Sequence, residues 1–169
     1  TQASSSAASD VYKRQAQDLA WHLAVVSLIA AIARSWGATW FAAVSAAAVF
    51  ALHPAHVASV QFIAARNDLM ATALVLIALR AARTASAMRL GGIIVLCLAA
   101  VLSKESAVLL PVLLGFTELT GRGELRRRRA VEVFLAATLG VGLALALRAV
   151  VGVGFPEGAT SHAMSEVLG

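Results

Sequence analysis

Six apolar runs, with charge confined almost entirely to the gaps between them, restrict this chain more than any other feature. They are Leu19–Ala33, Ala38–Leu52, Leu69–Ala82, Leu90–Leu102, Ala107–Leu119 and Ala130–Val151. Only the last reaches the ~20 residues that cross a bilayer upright. The others must borrow flanking residues or sit short beside their neighbours, and Leu69–Ala82 is expected to extend back through Ile63 and Ala64. The chain is 60% hydrophobic and only 14% charged, whereas a soluble domain carries about 25% charged residues. The expected fold is therefore all-α, a polytopic transmembrane bundle of about six helices.

The net charge of +5 does not point to nucleic acid. The basic residues are arginine clusters between apolar runs, which is the membrane pattern. If the first run ends inside at Arg34, strict alternation puts Arg34, Arg80, Arg83, Arg89, Arg122 and Arg126–Arg129 on the inner side, nine in all, and only Arg66, Lys104 and Arg148 on the outer side. Every gap agrees with the charge rule. The Arg126–Arg129 run reads as an orientation or anionic-lipid signal. The single cysteine, Cys97, lies within an apolar run and can form no internal disulfide.

The start of the chain breaks from this pattern. Residues Ser5 to Gln15 resemble the in-frame translation of a transposase sequencing adapter. Residues 1–15 are therefore expected to be an artefact that makes no packed contact, with the natural start missing and a signal peptide neither inferred nor denied. Residues 16–151 form the expected transmembrane domain, itself a fragment. Residues 152–169 are read as an extracytoplasmic loop or truncated end.

Two polar islands fall on the outer side. The first is His53-Pro54-Ala55-His56, running on to Arg66-Asn67-Asp68-Leu69. The second is Ser103-Lys104-Glu105-Ser106, followed by Pro111. Between Leu19 and Thr117 the only acids are Asp68 and Glu105, and Lys104 is the only lysine after Lys13. Ionisable groups in or near hydrocarbon are costly unless paired or functional. His53 and His56 could orient a hydroxyl or shuttle a proton, or simply bond loop backbone. Two histidines are too few for a metal site, and no Cys-x-x-Cys, phosphate-loop or nucleophile-elbow pattern is present. No cofactor is identified, and dependence on a divalent metal is left open.

Arg66 and Asp68 would diverge on a helix but could share a cleft on a loop. Arginine suits phosphate as a planar fork, lysine as a point charge. Arg66 could otherwise snorkel, Asp68 could cap a helix, and Lys104 and Glu105 could be a neutralised pair. Ser103 is expected to cap a helix beginning there, with Glu105 in its first turn. Asp18 and His22 share one face of the first helix, read as a starting cap and a bundle-facing histidine. Gly140 and Gly142 read as packing glycines.

Taken in order, Phe50-Ala51-Leu52-His53-Pro54-Ala55-His56-Val57, Arg66-Asn67-Asp68-Leu69, Leu102-Ser103-Lys104-Glu105 and Leu110-Pro111 resemble the GT-C membrane glycosyltransferases. The likeness is to multispanning proteins related to protein O-mannosyltransferases, often with C-terminal tetratricopeptide repeats. It covers roughly residues 18–120. Asp18 stands where that group tends to have Asn, and the first-loop acid that would act as base precedes the region present here. The resemblance implies an incomplete GT-C membrane domain in a multi-pass protein of the bacterial inner membrane. It implies inverting transfer of a sugar from a polyprenyl-phosphate donor to a hydroxyl on a protein or glycan, on the non-cytoplasmic side. Within it, Arg66 and Lys104 would hold the donor phosphate, and His53, His56, Asp68 and Glu105 would shape the pocket. The fragment alone is expected to be inactive. A non-catalytic membrane scaffold and a secondary transporter are the rival readings.

Overall fold

The structure, a computed structural model, describes residues 2–54, 66–83, 88–120 and 124–152. It is all-α, with no strand among the described residues. The helices are α1 (Gln2–Ser35), α2 (Trp40–Leu52), α3 (Arg66–Ala82), α4 (Arg89–Ser103), α5 (Leu110–Leu119) and α6 (Glu124–Val151), with a 3-10 turn over Glu105–Leu109 between α4 and α5. Each apolar run became helix. His56 and the return of α3 through Ile63 and Ala64 lie outside the described residues, as does most of 152–169.

The boundaries follow local chemistry. At the end of α1, Gly37 adopts φ +89°. The Gly37 N–H donates to Arg34 O at 3.1 Å and the Ala38 N–H to Ala33 O at 3.0 Å. This pair of bonds closes a helix through a left-handed residue, which glycine adopts without a Cβ penalty. Thr39 caps α2, its hydroxyl accepting from the Ala42 N–H at 3.2 Å. At the far end of α2, His53 is extended at ψ 128°, the conformation that a following proline imposes.

Two expected boundaries are corrected. The first helix does not start near Asp18 but continues from Gln2, so Asp18 lies inside α1 and caps nothing. Residues 2–15 belong to that same helix. Val11 and Tyr12 are exposed, while the Arg14 carbonyl, within the stretch expected to make no packed contact, accepts a bond from Arg66 Nη2 at 3.3 Å. Ser103 is the last residue of α4 rather than a cap, and its hydroxyl donates back to Ala99 O at 2.9 Å. The break falls at Lys104, extended at φ −153°.

The helices pack in the order α2, α1, α3, α4, α6, α5. The core is a stripe of Ile93, Cys97, Ala100 and Val101 on α4, meeting Ala78 and Ala82 of α3, Leu110 and Leu114 of α5, and Val133, Ala137 and Ala144 of α6. A Cβ added to Gly140 would meet the Ile94 carbonyl oxygen, and would lie 3.0 Å from Cys97 Cβ. The α4 and α6 backbones thus approach as closely as small residues allow, the usual way to gain dispersion contact between apolar helices. Ser27, Thr72 and Thr138 each donate to the carbonyl four residues back, at 2.7–2.8 Å. Their hydroxyls are satisfied without water.

Two stretches, Val11–Ser35 and Arg127–Val151, are long and apolar enough to cross a bilayer. The first gains its length from the unexpected extension of α1. At 13 and 15 residues, α2 and α4 are shorter, about 20 and 22 Å of helix.

Candidate functional site

The described ion pairs fall into two groups, one around the start of α3 and the end of α4, the other around the start of α4. In the first lie Asp18, Arg66, Asp68, Lys104, Glu105 and Arg148. In the second lie Arg89, Arg128 and Glu132.

The first of these groups is built around the start of α3. Arg66 and Asp68 both sit in its first turn, and residues two apart on a helix project about 200° from one another. They diverge accordingly. Arg66 Nε reaches back to Asp18 Oδ1 of α1 at 2.6 Å, while Asp68 Oδ1 meets Lys104 Nζ at 2.5 Å. The shared cleft that a loop would have allowed is not formed by this pair. Asp18 is only 2% exposed, so its carboxylate depends on Arg66 for a counter-charge. One turn further along α1, His22 is also buried and stacks on Phe50 of α2, ring centroids 5.7 Å apart.

Lys104 and Asp68 stand at the mouth of a cleft of about 520 Å³ between α3, α5 and the 3-10 turn. Its walls are apolar, from Phe50, Leu69, Val75, Leu110 and Leu113. The break at Lys104 makes this possible, because an extended residue between two helical segments turns its side chain out of the helix stack. Both partners of the pair keep 43% side-chain exposure, so the charges are wet on one side and meet hydrocarbon walls on the other.

Among the described residues the other sequence candidates do not line this cleft. Glu105 turns away to α6, where Oε1 accepts from Arg148 Nη1 at 2.7 Å. His53 ends α2 in an exposed position. Arg66 faces α1. Of the six residues proposed for phosphate or pocket, Lys104 and Asp68 line the cleft. Among the described residues no three His, Cys, Asp or Glu side chains gather as a metal-binding group.

Three participants were not legible beforehand. In the sequence Phe50 is one residue of a motif and Arg148 one outer charge, and neither spacing shows that Phe50 stacks on His22 or that Arg148 answers Glu105. Glu118 is buried at the opposite end, and a lone acid between Phe116 and Leu119 is its only signal in the sequence. Comparison of the chain with protein-family models, with curated proteins and with solved structures returns no match.

Proposed function

We propose that the chain is part of a multispanning bacterial inner-membrane glycosyltransferase of the GT-C kind. It takes its sugar from a polyprenyl-phosphate donor and passes it to a hydroxyl on a protein or glycan at the non-cytoplasmic face. One observation carries the reading: a half-exposed lysine–aspartate pair at the mouth of an apolar cleft. A polyprenyl phosphate is one anionic group on a long hydrocarbon. It calls for a cation beside a greasy groove, and a compact ammonium meets phosphate as a point charge. Asp68 neutralises Lys104 while the cleft is empty, and a phosphate oxygen can replace it. As the bond to the anomeric carbon breaks, negative charge grows on the departing phosphate, and a fixed cation there lowers the barrier. Arg66, held by Asp18, sets the start of α3 and so the position of Asp68.

The membrane setting draws support from the two spanning-length helices and from exposed apolar side chains such as Phe41, Val95, Val112, Phe116 and Leu139. Exposed Trp36 and Trp40 sit together at the Arg34 end, with the Arg34 guanidinium 6.0 Å from the Trp40 ring. Tryptophan favours that interfacial level. A second reading, a non-catalytic scaffold, is favoured by the fact that Arg66, Lys104 and Arg148 each have an acid partner.

The test uses the protein expressed from its own gene in membranes, with release of polyprenyl phosphate from labelled polyprenyl-phosphate sugars as the readout. Lys104→Ala is expected to lower release by about 10²–10³-fold, the effect of removing one transition-state donor. Lys104→Arg is expected to fall between, because a planar fork does not replace a point charge freely. Release at wild-type rate by the alanine variant, at equal membrane abundance, rejects the phosphate role.

A further inference from the structure

At the end of the bundle away from Lys104, Arg83, Thr117, Glu118 and Arg129 surround a small pocket of about 190 Å³. Its lining is mostly polar, unlike the apolar cleft described above. Glu118 is 6% exposed, and what it does expose faces this pocket. Among the described residues no nitrogen of Arg83 or Arg129 closes an ion pair with it, although all three residues line the same pocket.

That arrangement is unusual on energetic grounds. A carboxylate so buried is costly unless a donor closes on it directly, and a native structure rarely leaves one without such a bond. Two guanidiniums in the same pocket exclude a metal cation as the missing partner. They also make a simple anion a poor fit, since Glu118 would repel it. The arrangement asks for one ligand carrying both signs: an ammonium for Glu118 and a phosphate for the arginines. Arg83 is steadied for that task, its guanidinium lying 5.8 Å from the Trp36 ring centroid. Beside the pocket, α5 turns Phe116 and Leu119 outward, an apolar surface along which an acyl chain can lie.

We propose that this pocket binds the phosphoethanolamine headgroup of a membrane lipid. The ammonium donates to the Glu118 carboxylate, and the phosphate accepts from Arg83 and Arg129. The end of α3, through Arg83 just beyond it, is thereby tied to α5 and α6 by a lipid. The inference rests on the membrane reading above but not on the glycosyltransferase one.

The experiment places the chain in nanodiscs of phosphatidylcholine containing equal small amounts of phosphatidylethanolamine and phosphatidylglycerol, and measures co-purified lipid by native mass spectrometry. Phosphatidylethanolamine is expected to be retained over both others by about tenfold, the worth of one charge-assisted hydrogen bond. Phosphatidylcholine has no N–H to offer Glu118, and phosphatidylglycerol has no cation. Glu118→Gln is expected to abolish the preference over phosphatidylglycerol, and Arg83→Ala to lower retention of both phospholipids. Helicity and monodispersity of each variant are measured alongside. Should Glu118→Gln fail to fold, Arg129→Ala serves in its place. Preference for phosphatidylglycerol, equal retention of all three, or a preference unchanged by Glu118→Gln overturns the proposal. Displacement by soluble O-phosphoethanolamine at matched concentration overturns the lipid assignment. Failure of the chain to enter nanodiscs at all refutes the membrane reading instead, so the two failures are told apart.

Discussion

Removing Arg66 should cost far more than neutralising its partner, and the asymmetry can be worked from the geometry. Asp18 is 2% exposed and Arg66 24%, with 2.6 Å between Oδ1 and Nε. Arg66→Ala leaves an ionised carboxylate sealed between α1 and α3 with no counter-charge. Breaking such a pair from one side costs about 3–5 kcal/mol. The lost bond to the Arg14 carbonyl, at 3.3 Å, adds little. Asp18→Asn leaves the shape and one acceptor in place. The guanidinium, a quarter exposed, can turn to water, so the cost is on the order of 1 kcal/mol. The double variant Asp18→Asn/Arg66→Ala has no orphaned charge and should be more stable than Arg66→Ala alone. Denaturant unfolding of the four proteins in one detergent, followed by helicity, gives the coupling energy directly. Equal costs for the two single variants, or costs that simply add, would show that the pair does not hold α1 to α3. Arg66 would then be available as a phosphate ligand in its own right.

Two further outcomes are expected. Gly140→Ala should destabilise by about 1–3 kcal/mol through overpacking against α4, despite a gain of up to about 1 kcal/mol in helix propensity. Gly142→Ala, where an added Cβ meets nothing within 4 Å, should be neutral or stabilising in the same unfolding assay; the reverse order would contradict the close approach at Ile94. In reporter fusions, junctions after Arg89 and Arg129 should read as cytoplasmic and a junction after Asp68 as extracytoplasmic, with inverted signals sinking both the orientation and the side assigned to the Lys104 cleft.

Helix positions were legible because apolar runs and breakers are local. The break near Ser103 was marked by two charges in an oily stretch, and the end of α2 by Pro54. The start of α1 was not legible. Polarity and an adapter-like composition argued for a tail, yet Ala, Gln, Lys and Arg are all good helix formers, and α1 simply continues through them. Partner choice was harder still. The divergence of Arg66 and Asp68 followed once α3 was known to include both. That Asp18 would answer Arg66 across 48 positions depends on how α1 lies against α3, which no spacing encodes. Glu118 sits inside an apolar run, where no gap or breaker marks it, and its burial depends on how α5 lies against its neighbours.

The close seam between α4 and α6 also behaves as a ruler. Arg89 reaches Glu132 at the start of α4, and Arg148 reaches Glu105 in the turn just past its end, each bond joining residues 43 apart. The two segments therefore run side by side in the same direction with one constant offset, like the rails of a ladder with a rung at each end. Length becomes a matched quantity. A single residue inserted in one rail would turn everything beyond it by about 100° and advance it by about 1.5 Å, so that at most one rung could still close. The same insertion made in both rails would restore the match. Tolerance to insertion in this pair should thus be correlated rather than independent, and drift in the length of one helix would be followed by drift in the other.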